Sequence, residues 1–303
     1  MTNCIAFHSY KGGTGKTTIA ANIAALLARK GYNVSLIELD VYAPSLSVYF
    51  QKEPEKWLND FLWKVAEIDD IMINLTSTIA KIHSNYVTGK LIAAFCNPKK
   101  DEILKLEGII GTSGSSKTYA SNIQLLRRFI LLREQLISKY SPDYIILDTR
   151  PGIRYWSINA LAVADILFLT LAMDDLDIAG TKELAKNIYN SFSKFGSETY
   201  LLMNRIYGYC TPPQTIDTIA RSLPRSVFTN PISGNSHDKA FEQKNGFVTT
   251  IIAEAGMDVI CSIPCYCDIQ FSRREFLTVL NYPNHPFSAR MEILAEDYRL
   301  KPK

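Results

Sequence analysis

The sequence lacks the features of a secreted, disulfide-bonded or membrane-spanning protein. Its six cysteines are scattered along 303 residues, well below the density of a disulfide scaffold, so a reducing compartment is favoured. The N-terminal residues MTNCIAFHSYKGG have no basic start followed by a long apolar run, so we expect no signal peptide. The longest apolar stretches, Tyr144–Leu147 and Ala160–Met173, are too short or too interrupted to cross a bilayer. We therefore expect a soluble, cytoplasmic protein.

The sequence also lacks a strong charge of either sign and any obvious linker. A net charge of +3 is too weak by itself to predict a nucleic-acid partner. No Gly-, Ser- or Pro-rich segment and no internal repeat divides the chain, and 47% hydrophobic residues can fill a sizeable core. We expect a single domain over residues 1–303, with elaborations at about residues 50–90 and 224–250.

What the chain does contain is a repeated alternation of apolar strands and amphipathic helices. The predicted strands are Cys4–His8, Asn33–Leu39, Leu91–Phe95, Tyr144–Leu147, Ile166–Leu171, Thr199–Asn204 and Val259–Ile263. The predicted helices are Thr17–Lys30, Ser121–Tyr140, Ser157–Val163, Ile178–Phe192, Thr215–Ser222 and Ala289–Tyr298. A loop is predicted over Gly111–Lys117. This alternation predicts an α/β fold with a doubly wound, mostly parallel sheet in a three-layer α/β/α arrangement.

The stretch SYKGGTGKTT, residues 9–18, lies between the first predicted strand and the first predicted helix. Glycines in such a loop let backbone N–H groups converge on an anion at a helix N-terminus. These glycines are Gly12, Gly13 and Gly15. Lys16 is placed to reach the β- and γ-phosphates of a nucleotide, and the Thr17 hydroxyl to bind Mg²⁺. The motif predicts a phosphate-binding loop, although Tyr10 stands where such a loop usually has its first glycine.

Two aspartates end neighbouring predicted strands beside this loop. Asp40 follows the second strand and Asp148 ends the strand in DYIILDTRPG. Carboxylates there can hold the shell of a Mg²⁺ ion, whereas helix capping in βα loops is the alternative role. Gly152 is placed to offer its backbone N–H to the γ-phosphate. Glu38 alternates with Asp40 and is interpreted as a structural charge.

Four motifs together resemble a known family. KGGTGKTT, ELDVYAPS, ILDTRPGI and LLMNR, in this order and spacing, are similar to the motifs of the ParA/MinD family of P-loop ATPases with a deviant Walker A motif. The resemblance runs from Cys4 to about Tyr298 and is weakest over Phe50–Ile110 and Pro224–Gly246. This family often lacks the first Walker A glycine. One departure lies in the second switch motif, where Pro151 comes one position later than the proline of the family.

The resemblance implies a role for each position that matches a family motif. Lys11 would cross the interface of an ATP-sandwich dimer and contact the phosphates of the partner, where a cation offsets charge in phosphoryl transfer. Asp40 would orient the attacking water, and Asp148–Gly152 would sense the γ-phosphate. The implied catalytic residues are Lys11, Lys16 and Asp40. The implied Mg²⁺ ligands are Thr17, Asp40 and Asp148.

The implied nucleotide site extends from the loop to the base. Thr18 would contact the α-phosphate, Asn204 would read adenine and Arg205 would stack on the base. Pro264 would line the adenine pocket, and the alternative role of Asn204 is to satisfy a loop backbone. The full set of implied nucleotide-binding residues is Gly12, Gly13, Thr14, Gly15, Lys16, Thr17, Thr18, Gly152, Asn204, Arg205 and Pro264.

The surface on which such a protein acts is left open by the sequence. Non-specific DNA binding would use basic residues, for which the candidates are Arg221, Arg225, Arg273 and Arg274. The C-terminal stretch MEILAEDYRLKPK lacks the composition of an interfacial anchor, which disfavours direct membrane anchoring. A metal site would draw on Cys261, Cys265 and Cys267, but no C-x-x-C pair is present. A protein could dock on Arg150, Arg154, Tyr155 and Trp156, although Trp156 is equally consistent with a core position.

The sequence therefore predicts an ATP- and Mg²⁺-binding ATPase that forms a homodimer when ATP is bound. Slow hydrolysis would act as a spatial or partitioning switch, stimulated by an unidentified protein activator or cargo. The alternative is a nucleotide-gated carrier or adaptor for a protein or metal-cluster cargo.

Overall fold

The computed structural model describes residues 2–82, 88–99, 101–102, 115–153, 155–172, 175–186, 192, 196–206, 257–266, 268–269 and 276–301. The predicted helix Thr215–Ser222 and the elaboration at residues 224–250 lie outside these ranges, as do Cys267, Arg154 and the four arginines considered for DNA binding.

A single eight-stranded sheet organises the described residues. The strands are β1 (Asn3–His8), β2 (Asn33–Leu39), β3 (Ile73–Asn74), β4 (Lys90–Ala94), β5 (Tyr144–Thr149), β6 (Ile166–Ala172), β7 (Glu198–Ile206) and β8 (Asp258–Pro264). They are ordered β3-β4-β2-β5-β1-β6-β7-β8, and every pairing is parallel except that of β3 with β4. The predicted α/β class with a mostly parallel sheet is thereby confirmed.

Helices connect the strands. Those of the described residues are α1 (Lys16–Arg29), α2 (Leu46–Tyr49), α3 (Leu58–Leu62), α4 (Ile68–Ile71), α5 (Thr76–Ile82), α6 (Ser115–Tyr140), α7 (Tyr155–Leu161), α8 (Asp175–Leu184), α9 (Thr278–Asn281) and α10 (Pro286–Glu296), with a 3₁₀ turn at Tyr298–Leu300. Gly31 follows α1 with a φ of 100°, the left-handed conformation that its position predicts. No helix among the described residues is both long and apolar enough to cross a membrane.

The two faces of the sheet belong to two separate hydrophobic cores. Every residue of β1 is buried, and alternate side chains point to opposite faces, as the pleat requires. Ile5 and Phe7 join the core that packs α1, α9 and α10 on one face. Cys4 and Ala6 join the core that packs α3, α4, α6, α7 and α8 on the other. This division is the physical basis of the three layers.

Some predicted boundaries were wrong. Helix α6 begins at Ser115, so it includes the end of the segment Gly111–Lys117 that was predicted to be a loop. Strand β5 continues beyond the predicted end at Leu147, because Asp148 still pairs with Phe7 and Glu38 in the sheet. The short edge strand β3 was not predicted, because two residues carry no periodicity.

Candidate nucleotide-binding site

The predicted site residues converge at one edge of the sheet. Parallel strands bring their carboxyl ends to the same edge, and a ligand crevice forms there in open α/β sheets. The loop after β1, Asp40 after β2, the residues after β5 and the ends of β7 and β8 all reach this edge. The topology therefore explains how residues far apart in the sequence meet.

The phosphate loop connects β1 directly to the N-terminus of α1. Gly13 and Gly15 have φ angles of 79° and 89°. Residues with a side chain adopt this left-handed backbone conformation only with strain. Gly15 is the N-cap of α1, and no described side chain caps this helix end or places an acidic group in its first turn. The helix N-terminus is thus available to an anion.

Lys16 is held under the loop by a chain of hydrogen bonds. Its Nζ donates to Ser9 Oγ at 2.7 Å, and that hydroxyl donates to the Lys11 carbonyl at 2.6 Å. Only 6% of Lys16 is exposed. Burial lowers the pKa of its ammonium group, while the charges of Asp148 and Asp40 oppose the shift. A buried cation aimed at the loop favours the arrival of an anionic ligand.

Asp148 lies beneath the loop with both carboxylate oxygens buried. Neither oxygen has a hydrogen-bond partner of normal geometry among the described residues. Burial raises the pKa of Asp148 to about 6, and the nearby Thr17 hydroxyl and Lys16 ammonium act in the opposite direction. Buried polar atoms without partners are rare, and these are the hard oxygen donors that Mg²⁺ prefers. Asp148 and Thr17 therefore fit the predicted metal site.

Asp40 turns the chain away from the end of β2. Its Oδ1 accepts the backbone N–H groups of Tyr42 at 3.2 Å and of Ala43 at 3.1 Å. These two bonds form a local turn that aspartate favours. The other carboxylate oxygen is not used by this turn, so Asp40 combines a fixed backbone position with a carboxylate at the site.

Glu38 anchors the residues that follow Asp40. Its Oε1 accepts from the N–H of Ser45 at 2.5 Å and of Leu46 at 2.8 Å, and its Oε2 accepts from Cys96 at 3.0 Å. The carboxyl is completely buried, and burial raises its pKa to about 8 despite these three donors. Glu38 thus joins the start of α2 to the end of β4, so its role is structural, whereas its raised pKa favours an uncharged carboxyl near pH 7.

The segment after β5 closes over the phosphate loop. Gly152 has a φ of 85°, and its N–H donates to the Ser9 carbonyl at 2.9 Å. In the described conformation this N–H is therefore directed to the loop backbone, so a contact with a γ-phosphate would require it to change partner. A side chain at Gly12 would lie 3.9 Å from Pro151, so the displaced proline borders the loop.

The predicted base-binding residues line a small pocket beside the loop. Asn204 donates from Nδ2 to the Thr14 carbonyl at 2.7 Å, which is the loop-satisfying role considered as its alternative. Arg205 has a φ of 53° at an irregularity in the pairing of β7 with β8. This irregularity places Arg205 at the pocket. The pocket is lined by Gly15, Thr18, Ile19, Asn204, Arg205, Ile263, Pro264, Cys265, Tyr266, Ile269 and Phe287.

Tyr10 and Lys11 form the outer rim of the loop. Lys11 is exposed. The ring of Tyr10 packs against Gly180 in α8, so closely that a Cβ on Gly180 would lie 2.0 Å from Tyr10 Cε1. The residue that replaces the usual loop glycine is therefore packed on a helix, although 41% of it is exposed.

This packing gives a testable consequence for stability. We expect Gly180→Ala to lower the free energy of unfolding by about 1–3 kcal/mol, because the new methyl group overlaps the Tyr10 ring. Chemical denaturation measures the change. In the Tyr10→Ser background, Gly180→Ala should lower the free energy of unfolding much less than it does in the wild type. Equal losses in both backgrounds would contradict the contact.

Sequence reasoning missed several contacts that tie the site together. His8 donates from Nδ1 to Thr149 Oγ1 at 2.8 Å, and that hydroxyl donates to the Phe7 carbonyl at 2.8 Å. Burial and the neighbouring Lys16 lower the pKa of His8 to about 3, so the ring is neutral. Trp156, considered as a docking residue, is buried and donates to the Leu39 carbonyl at 2.7 Å. Its core role, given as the alternative, is the one observed.

The cysteines do not assemble in the described structure. Cys261 is buried and Cys265 is partly exposed beside the base pocket. Across the described ranges, no group of three or more His, Cys, Asp or Glu residues is arranged to hold a metal ion.

Comparison with known proteins agrees with this architecture. Residues 2–198 match the protein family described as AAA domain. The chain is 27% identical over 205 residues to the flagellum site-determining protein YlxH of Helicobacter pylori, covering 68% of this chain and 58% of that protein. It is 25% identical over 191 residues to the sporulation initiation inhibitor protein Soj of Bacillus subtilis, covering 62% and 65%. The chain spans about half the length of the curated relatives it matches, from 40% to 62% of the first three.

Among solved structures, the chain is similar to the septum site-determining protein MinD of Pyrococcus horikoshii complexed with Mg-ADP. The TM-score is 0.64 at 17% identity, over 98% of this chain and 96% of that one. Fold and loop together define a P-loop nucleotide-binding protein of the three-layer class. The family match covers more than half of the chain, and the chain belongs to the ParA/MinD family of P-loop ATPases.

Proposed function

We propose that this protein binds ATP with Mg²⁺ and hydrolyses it slowly as a switch that pairs two ATP-bound copies. The observation that carries the proposal is the buried Asp148 carboxylate, whose oxygens have no hydrogen-bond partner of normal geometry among the described residues, beside Lys16 and Thr17 at an uncapped helix N-terminus. This combination of a buried cation, a hydroxyl and a carboxylate suits a metal-bound polyphosphate.

The side chains of the site have different roles in ATP binding and hydrolysis. Lys16 and the N-terminus of α1 bind and orient the phosphates, and Asp148 with Thr17 would hold Mg²⁺, which neutralises phosphate charge when bound. Asp40, placed at the same edge by its turn, would accept a hydrogen bond from the attacking water. Asn204, Arg205 and Pro264 would contact the base from the neighbouring pocket.

The exposed Lys11 supports the proposal of a dimer. Its backbone carbonyl is fixed by Ser9, so the side chain starts from a defined position on the rim of the loop. A cation supplied from a second copy would offset the charge that develops in phosphoryl transfer. Each copy alone would then be an incomplete enzyme, and hydrolysis would require a second copy of the chain to complete the site.

The role of Lys11 is tested by the mass of the protein in solution. We expect the mass of the wild type to double with Mg²⁺ and ATP, and Lys11→Ala to stay monomeric at the same nucleotide saturation. Light scattering after size exclusion measures both. Lys90→Ala, which removes an exposed lysine from the start of β4 at the opposite edge of the sheet, is the matched control and should behave as wild type.

Two outcomes would count against the proposal. If the wild type binds ATP but stays monomeric, the proposed ATP-dependent dimerisation is wrong. Turnover on the order of tens per second by the purified protein alone would remove the partner-dependent switch, since unstimulated switch ATPases are slow.

A further inference from the structure

Arg150 and Tyr42 make a contact that the proposed function does not use. The Arg150 guanidinium lies over the Tyr42 ring, 3.5 Å from its centroid. Arg150 belongs to the segment that follows β5, whereas Tyr42 belongs to the turn that follows β2. This stacking contact therefore joins the two loops that face the phosphate site from neighbouring strands.

Arg150 occupies an unusual place in its motif. In DTRPGI the arginine stands where the related motif has its proline, and Pro151 follows one position later. Arginine is suited to stacking, because its planar, weakly hydrated guanidinium packs against an aromatic face better than an ammonium group does. Arg150 Nη1 is buried and has no hydrogen-bond partner among the described residues. The aromatic contact thus restrains a guanidinium whose Nη1 makes no hydrogen bond to the described residues.

The Tyr42 end of the contact leads directly to Asp40. The backbone N–H of Tyr42 donates to Asp40 Oδ1, so the residue that carries the ring also helps to fix the carboxylate. On the other side of Asp40, the Leu39 carbonyl accepts the indole N–H of Trp156. Asp40 is therefore flanked by two contacts, one from Arg150 directly after β5 and one from Trp156 in α7.

We propose that Arg150 and Tyr42 form a positioning pair that holds the Asp40 turn in register with the segment after β5. A change in that segment is then transmitted to Asp40 through the stacked side chains. The consequence for hydrolysis rests on the proposed function, but the restraint itself is a property of the protein without nucleotide.

The restraint is tested first by amide hydrogen exchange on the nucleotide-free protein. The peptide that covers residues 40–46 contains the two N–H groups bonded to Asp40. Tyr42→Leu and Arg150→Met each remove the stack but keep an apolar side chain, and we expect exchange in this peptide to quicken roughly five- to tenfold. Tyr42→Phe keeps the ring and should restore protection. Unchanged exchange in both stack-removing variants would overturn the pair.

Its effect on the reaction is tested by a double-variant cycle. We expect Tyr42→Leu and Arg150→Met each to lower kcat for ATP roughly tenfold. Nucleotide affinity should be unchanged in Tyr42→Leu, because Tyr42 lies outside both the phosphate loop and the segment Asp148–Gly152. The double variant should be no slower than the slower single one, since both remove the same contact. Multiplicative losses, or a loss of affinity in place of kcat, would overturn the positioning role.

The two proposals fail in different ways. If the wild type does not hydrolyse ATP, the proposed function is wrong and the catalytic part of the inference falls with it. If the wild type hydrolyses ATP and the stack-removing variants match it in kcat, only the positioning pair is wrong.

Discussion

Replacement of Lys16 by alanine is expected to lower the affinity for ATP and the rate of hydrolysis at least about 100-fold each. Lys16 is the buried cation beneath the loop, and burial lowers the pKa of its ammonium group. The negative charge of a bound phosphate would compensate this ammonium group for the hydration that it loses on burial. Titration with a fluorescent ATP analogue and steady-state hydrolysis measure the two losses.

The same substitution should leave the fold intact. Removing the buried ammonium group relieves its desolvation cost but also takes a cation away from the buried Asp148 carboxylate, so we expect the free energy of unfolding without nucleotide to stay close to that of the wild type. Stabilisation by ATP should disappear at the same time. Affinity within about threefold of wild type would contradict the assignment of Lys16 to the phosphates.

Replacement of Asp40 by asparagine is expected to lower hydrolysis about 100-fold or more while ATP affinity stays close to wild type. Asparagine retains an oxygen that can accept the Tyr42 and Ala43 N–H groups, so the turn is preserved and only the charge is lost. ATP-bound dimers should then accumulate, because hydrolysis no longer dissolves them. Single-turnover hydrolysis and nucleotide titration separate the two effects.

Comparison of two substitutions separates charge from geometry at this position. Asp40→Ala removes the turn as well as the carboxylate, whereas Asp40→Asn removes the carboxylate alone. Equal losses of hydrolysis in both variants identify the charge as the cause. A normal rate in Asp40→Asn with a slow rate in Asp40→Ala would make Asp40 a structural residue and would contradict its proposed role toward water.

The parts of the fold that the sequence predicted are those with local signals. Strand β1 is a continuous apolar run next to a glycine-rich loop, and both properties can be read without knowing any tertiary contact. The start of α6 at Ser115 could not be predicted, because the polar residues there are equally common in loops. Hydrophobic patterns in the sequence therefore located the core elements better than the ends of an amphipathic helix.

The site was predictable where chemistry depends on residue type and spacing. Residue type and spacing predict a phosphate contact for Lys16 and a Mg²⁺ contact for Asp148, with helix capping as the alternative for Asp148, and the fold brings both residues to the same edge of the sheet. Arg150 and Tyr42, which stack on each other, are more than a hundred residues apart in the sequence. Such pairs depend on strand order, which no local pattern specifies. For Asn204, both the base-reading and the loop-satisfying roles suit its amide, and only coordinates reveal the bond to Thr14.

The unusual environment of Asp148 would couple the binding of a cation at the proposed metal site to the release of a proton. With its pKa raised to about 6, the carboxyl gains a proton as pH falls through that value, well before an exposed aspartate would. A cation that binds there must displace this proton, so its affinity is thermodynamically linked to pH and rises as the solution becomes less acidic. Acidification would therefore lower the affinity for a cation, although no residue of the phosphate loop changes its protonation.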